Sequence, residues 1–262
     1  MPLFGPSVFI STRAQKLAQR QSALKKATSQ LSILPIHPLE PEILKTPASQ
    51  LAANIAAKDY SSLTVVAAFA RRALETHNDL NTLTEGCFSR RKGGLMLVMV
   101  VEALETAMQH DEYQEMTGTT LGPMHGVPYT LKDTFAVEGY DSSLGISSLA
   151  NKPADTSSVL HATLTKLGGI LLAKTNVPQT LLAFECNNPI FGVTQNPVVK
   201  GFTSGGSSGG EAAVLARDAS AIGFGSDIGG SLRIPTGWCG IYALKTVKGR
   251  FPMRGHSSTF PL

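Results

Sequence analysis

Hydrophobic spacing divides the chain into a helical first part and a later part where short apolar runs alternate with helical patterns. Residues 12–30 predict a basic helix lying against the body, and Pro35, Pro38 and Pro41 then break any continuation. Residues 47–58 put Leu51, Ile55 and Ala56 on one side, with Thr46 placed to cap. Ser62 opens a run in which Leu63, Val66, Ala70, Ala73 and Leu74 recur at helical steps. That spacing turns Arg71 and Arg72 outward and leaves His77 at the C-terminal end, where a cation complements the helix dipole. Residues 86–101 fit no period: charge, a double glycine and the apolar run 95–101 simply succeed one another. Helical spacing returns over 101–116.

From Gly122 the pattern changes. Residues 126–132 read as a short strand reached through a turn. Asp155–Ser158 offers caps for a helix with Leu160, Leu164 and Leu167 on one face, closed by Gly168 and Gly169. Residues 170–173 form a buried strand, 178–183 a short helix, and 209–216 a small-residue helix. Residues 221–225 and 240–245 complete the strands. Strands alternating with helices predict an α/β fold with a substantially parallel sheet.

Composition narrows the classes. Of 262 residues, 42% are hydrophobic and 16% charged, and the net charge is +4, as for an ordinary globular chain. No apolar stretch approaches the roughly 18 residues of a membrane span. A charge of +4 over this length is too weak to point to nucleic acid. Cys87, Cys186 and Cys239 are odd in number and form no CxxC pair, which argues against a disulfide framework or a zinc site. They suit reduced thiols in a cytoplasmic chain. Residues 1–39 lack Asp and Glu but carry Arg13, Lys16, Arg20, Lys25 and Lys26, a composition similar to a mitochondrial transit peptide. Both locations therefore stay open.

Glycine is the outlier. Eleven of the 25 glycines fall between Gly201 and Gly240, interleaved with apolar runs rather than forming a linker. The stretch Ser204-Gly-Gly-Ser-Ser-Gly-Gly210 runs into a helix, and Ser226-Asp-Ile-Gly-Gly-Ser231 follows a strand. Gly229 and Gly230 let successive N–H groups converge beside Ser231, as an oxyanion site requires. Ser231 is thus a candidate nucleophile in need of a base. Lys132, at the end of a buried strand, becomes one if burial lowers its pKa, and a serine of the 204–208 cluster can relay the proton. The pieces make a Ser–Ser–Lys arrangement without histidine.

At these residues the sequence resembles the amidase signature family. The resemblance covers about residues 121–255 and rests on GVPYTLKD, AKTNVPQ, NNPIFG, SGGSSGGEAA and GSDIGGSLRIP followed by CGIYALK, in this order. TNVPQ and SGGE look most like the fungal acetamidase and fatty-acid-amide-hydrolase branch. The resemblance implies an amidase signature fold, a mixed β-sheet core flanked by helices and truncated at its C-terminal side. Residues 1–45 would be a basic leader, helical then extended, and 46–262 a partial amidase signature domain. It implies Ser231 as nucleophile, Ser207 as bridging serine on a cis peptide after Gly206, and Lys132 as general base. The N–H groups of Ile228, Gly229, Gly230 and Ser231 would form the oxyanion hole, and the Leu181 carbonyl would line the amide site. Asp227, Ser208 and Arg233 match supporting positions. The implied activity is hydrolysis of linear carboxamides through a seryl acyl-enzyme, with a small-molecule substrate, no metal or organic cofactor, and homo-oligomerisation allowed. One departure is Ala243-Leu244-Lys245-Thr246-Val247, where the family usually reads Gly, Leu or Phe, Lys, Pro, Thr.

Rival readings remain at this point. Gly205-Gly-Ser207-Ser-Gly209 formally matches GxSxG, with Asp227 and His256 following in order, although no apolar strand leads into Gly205. Phosphate binding lacks its motif, since neither a P-loop nor GxGxxG is satisfied. A third reading is an inactive fragment or interaction protein that exposes apolar surface or pairs with another chain.

Overall fold

A computed structural model of the chain describes residues 6–84, 89–90, 96–97 and 99–257. Four helices come first: α1 (Pro6–Ser32), α2 (Glu40–Lys45), α3 (Ala48–Ala56) and α4 (Ser62–Leu80). Strands β1 (Ser89–Arg90) and β2 (Met96–Leu97) pair antiparallel within the discordant stretch, and the rest of 85–98 lies outside the described residues. There follow α5 (Met99–Thr117), β3 (Pro128–Lys132), α6 (Val159–Lys166), β4 (Ile170–Thr175), β5 (Asn187–Asn188), β6 (Gly192–Val193), α7 (Gly209–Leu215), β7 (Ile222–Phe224) and α8 (Arg233–Cys239).

The helical part packs into one core. Ala23, Ala27 and Leu31 recur every four residues on α1 and are buried in the same cluster as Val66, Phe69 and Ala70 of α4 and Leu104 and Ala107 of α5. Ser61 caps α4 by accepting from the Thr64 N–H at 3.0 Å. The Asp111 carboxylate takes two further N–H groups of that helix end, Ser62 at 2.6 Å and Leu63 at 3.0 Å. Two expectations about α4 are corrected. Arg71 does not point into solvent: its guanidinium pairs with Glu40 at 2.8 Å and donates to the Leu34 carbonyl at 3.0 Å, tying α4 to α2. His77 is not a cationic dipole partner. It is buried, its Nδ1 accepts from the Leu83 N–H at 3.0 Å, and burial plus nearby Arg20 lower its pKa to about 3.

The sheet has order β4-β3-β7 and all its strands run parallel. All five residues of β3 are buried, as expected for a strand covered on both faces. α6 supplies the crossover from β3 to β4, capped by Ser158, whose Oγ accepts from the His161 N–H at 3.3 Å. Lys132 is paired with Thr175, and Leu131 with Phe224. The carboxyl ends of the three strands therefore lie side by side, the usual location of a site in an open parallel sheet. Among the described residues no strand pairs with the outer edge of β7.

Two further expectations change. Residues 178–183 make only a 3₁₀ turn, Gln179–Leu181, with Thr180 at φ 60°. Residues 240–245 are not a strand. Gly240 ends α8 in the left-handed region at φ 72°, and no strand among the described residues offers a ladder to the segment that follows. Tyr242 is fully exposed and Leu244 is 80% exposed.

Candidate active site

Alternation along β3 puts Thr130 and Lys132 on one face, toward α7. Thr130 Oγ1 donates to Glu211 of α7 at 2.7 Å. Lys132 is fully buried; its Nζ donates to Ser207 Oγ at 2.7 Å and to Ser226 Oγ at 3.0 Å. Burial pulls the Lys132 pKa from 10.5 down to about 7, although Cys186, Glu211 and Asp227 favour the ammonium. A lysine in that range supplies neutral amine near neutral pH.

Ser207 immediately precedes the α7 cap, and the Gly206–Ser207 peptide is cis. α7 docks through Gly210, where a Cβ would sit 2.4 Å from the Asn176 nitrogen and 2.9 Å from the Thr82 carbonyl oxygen. Ser231 is brought to the same place by backbone: its carbonyl accepts from the Ser208 N–H at 3.0 Å. No hydrogen bond joins the Ser231 hydroxyl to Ser207 among the described residues.

The loop from Ser226 to Arg233 is organised by Asp227. Its carboxylate accepts from the N–H groups of Gly230 at 2.8 Å, Leu232 at 3.0 Å and Arg233 at 3.3 Å. The Arg233 guanidinium adds a two-point grip at 3.0 Å each. Burial opposes the charge of Asp227, yet Arg233 and these N–H groups hold its pKa well below the usual carboxylate range. The N–H groups expected to form the nest, those of Ile228, Gly229, Gly230 and Ser231, are divided between two situations. The Gly230 N–H belongs to Asp227, while those of Ile228, Gly229 and Ser231 have no partner among the described residues.

Leu181 sits in a strained turn. Thr180 at φ 60° and Leu181 at φ 66° are consecutive left-handed residues without glycine. Each such residue costs of order 1–3 kcal/mol and persists only where its surroundings hold it. The chain just after Leu181 runs along the Ser207 peptide: a Cβ on Gly206 would lie 2.7 Å from the Ala183 carbonyl oxygen and 2.9 Å from that of Glu185. Thus Lys132, Ser207 and the Ser226–Arg233 loop that carries Ser231 lie together, and the chain just after Leu181 passes beside Gly206.

Glu211 is a buried carboxyl behind the site. It accepts from Thr130 and, at 2.8 Å, from Thr175 Oγ1, and burial pushes its pKa up to about 7. An apolar cavity of about 800 Å³ opens beside it, lined by Glu211, Ser226, Asp227, Phe224, Tyr242 and His256 among others. His256 completes no Ser–His–Asp triad. Both ring nitrogens are buried without a partner among the described residues, the ring packs edge-on to Phe135 at 4.8 Å, and burial lowers its pKa to about 4. Ser207 is bonded to Lys132 and Asp227 to Arg233 instead.

Sequence reasoning passed over Ser226, Glu211, Asp133 and Lys174, although each lies inside a quoted motif. Ser226 was the most accessible: it is a hydroxyl directly after a strand in the same Gly-rich block. His125 and Cys239 are structural in their contacts. His125 Nδ1 accepts from the Leu121 N–H at 3.2 Å, and Cys239 is buried with its thiol on the Ser204 carbonyl at 3.3 Å. No helix among the described residues is long and apolar enough to cross a membrane.

Known proteins share this sequence and fold. The family model described as Amidase matches residues 64–261. "Amidase 2" of Gibberella moniliformis is 47% identical over 184 residues, covering 70% of this chain and 34% of its own length. An acetamidase of Emericella nidulans is 38% identical, over 81% of this chain and 37% of its own length. A solved fatty acid amide hydrolase superposes with a TM-score of 0.78 at 32% identity, covering 98% of this chain and 42% of its own. The chain therefore spans little more than a third of the curated relatives it matches. With the matching model extending over most of the chain, and with neighbours that share both sequence and fold, the chain belongs to the amidase signature family.

Proposed function

We propose that this chain carries the acyl-transfer centre for hydrolysis of linear carboxamides, with Ser231 as nucleophile, Ser207 as relay and Lys132 as base. The observation that supports it most is the buried Lys132 amine, 2.7 Å from Ser207 Oγ, with its pKa drawn down to about 7. Neutral Lys132 accepts the Ser207 proton while Ser207 takes that of Ser231. The Ser231 oxygen attacks the amide carbon, and the N–H groups of Ile228, Gly229 and Ser231 receive the oxyanion. As the C–N bond breaks, Ser207 gives a proton to the leaving nitrogen and recovers one from Lys132. Water then adds to the acyl-serine, its proton returning along the same relay. The Leu181 carbonyl holds the amide nitrogen side of the substrate.

The test is covalent. A fluorophosphonate followed by mass-spectrometric mapping is expected to label Ser231, and Ser231→Ala to abolish both labelling and release of ammonia from hexanamide. Ammonia release surviving in Ser231→Ala would sink the assignment.

A second reading is favoured by one observation. Tyr242, Leu244 and Val247 leave apolar side chains exposed around the cavity beside β7. On that reading the chain acts together with further polypeptide covering this face. Hexanamide turnover by a species that is monomeric on light scattering would exclude it.

A further inference from the structure

The proposed mechanism leaves unused a buried charged cluster that begins at the residue after Lys132. Asp133 follows Lys132 in the chain and is fully buried. Its Oδ1 accepts from Thr84 Oγ1 at 3.1 Å and faces Lys174 Nζ at 3.8 Å. Its Oδ2 accepts from the Leu144 N–H at 2.8 Å and from Ser143 Oγ at 3.4 Å. Lys174, also buried, is held by the Asp141 carbonyl and by Ser142 Oγ at 2.7 Å.

The importance of the Leu144 contact lies in what Leu144 then holds. Leu144 is itself left-handed, at φ 51°. Its carbonyl accepts the Thr180 N–H at 3.0 Å. Thr180 and Leu181 are the strained pair, and Thr180 is β-branched, the side-chain type least tolerant of that region. A short relay therefore runs from the carboxylate through the Leu144 N–H and carbonyl to the Thr180 N–H. A close approach keeps it in line: a Cβ on Gly145 would lie 3.1 Å from the Gln179 Cα. The carboxylate beside the base in the chain is thus linked through Leu144 to the strained turn at Thr180 and Leu181.

We infer that Asp133 is a positioning residue that sets the Leu181 carbonyl for the substrate amide by holding Leu144, and through it Thr180, in left-handed conformation. This rests on the role proposed for Leu181. The bland alternative is that Asp133 serves only to neutralise Lys174.

The two separate in one set of variants of the full chain. In Asp133→Asn, amide hydrogen exchange is expected to speed about tenfold over residues 144–146 and 178–182, the scale of one lost bond to a charged acceptor. Exchange in β3 and β4 stays within about twofold. KM for hexanamide rises about tenfold while kcat changes less than about twofold, because a ground-state contact is what is loosened. Adding Leu144→Gly, which removes the left-handed penalty, restores most of the KM. The inference is overturned if exchange rises equally in β3 and β4, if the exchange of residues 178–182 does not change, or if Lys174→Met rescues Asp133→Asn where Leu144→Gly does not. Absent labelling of Ser231 in the unmodified chain would instead count against the proposed function, and the exchange pattern would still decide the relay.

Discussion

Replacing Lys132 with methionine is expected to stabilise the fold while abolishing turnover. Methionine has nearly the same length, and the site is wholly buried. The native lysine has its pKa drawn from 10.5 to about 7 by that burial. Between these values the unfolded chain holds a proton that the native chain lacks, so stability rises with pH across the window. Below about pH 7 the native state must bury an ammonium, and the full penalty, about 5 kcal/mol, applies. Methionine removes this penalty but leaves the Ser207 and Ser226 hydroxyls without the amine, at a cost of about 1 kcal/mol or more each. The expected net gain at pH 6 is about 2–3 kcal/mol, shrinking by about 1.4 kcal/mol per pH unit above pH 7. Urea unfolding of both proteins from pH 5.5 to 9.5 measures the difference. A difference that stays flat over pH 7–9.5 would refute the reasoning, because Lys132 would then carry the same charge in both states.

Two other outcomes follow from the same geometry. The acid limb of amide hydrolysis is expected near pH 7, since the base must be neutral, and Glu211→Gln should move it lower by removing a carboxylate that favours the ammonium; pH–rate profiles check the direction. Gly210→Ala forces a Cβ to 2.4 Å from backbone and should cost at least about 3 kcal/mol, whereas Gly229→Ala meets nothing within 4 Å and should stay within about 0.5 kcal/mol, both read from thermal unfolding.

Legibility followed the range of the interaction. Lys132 and Ser207 lie 75 residues apart, and only the ordered motifs allowed them to be joined before their contact was seen. Local pattern sufficed for α4, α6, β3 and β4, whose apolar spacing agrees with their burial. It failed at 240–245, where the pattern reads as a strand but a strand requires a neighbour. It failed again at α8, where Pro235 and Gly237 conceal a helix; the proline falls in its first turn, where no N–H is needed. Asp133 and Lys174 gave no signal, because an acid beside a lysine and a lysine ending a strand usually face water. Their burial is set by where α4, the 141–144 loop and the sheet meet. The resemblance implied a place in the nest for the Gly230 N–H, and its hydrogen bond to Asp227 is a side-chain contact that the sequence does not display.

Among the described residues the outer edge of β7 is open, and with the exposed segment beside it this bears on association. An unpaired edge presents N–H and C=O groups to any extended chain. Residues 241–247, Ile-Tyr-Ala-Leu-Lys-Thr-Val, have the apolar, β-prone make-up of a stretch that adds to such an edge. Lys245 is the only charge among them. It stands as a gatekeeper, interrupting what would otherwise be an uncharged sticky run. Removing this one ammonium would leave residues 241–247 of this chain an uncharged run able to add to that edge.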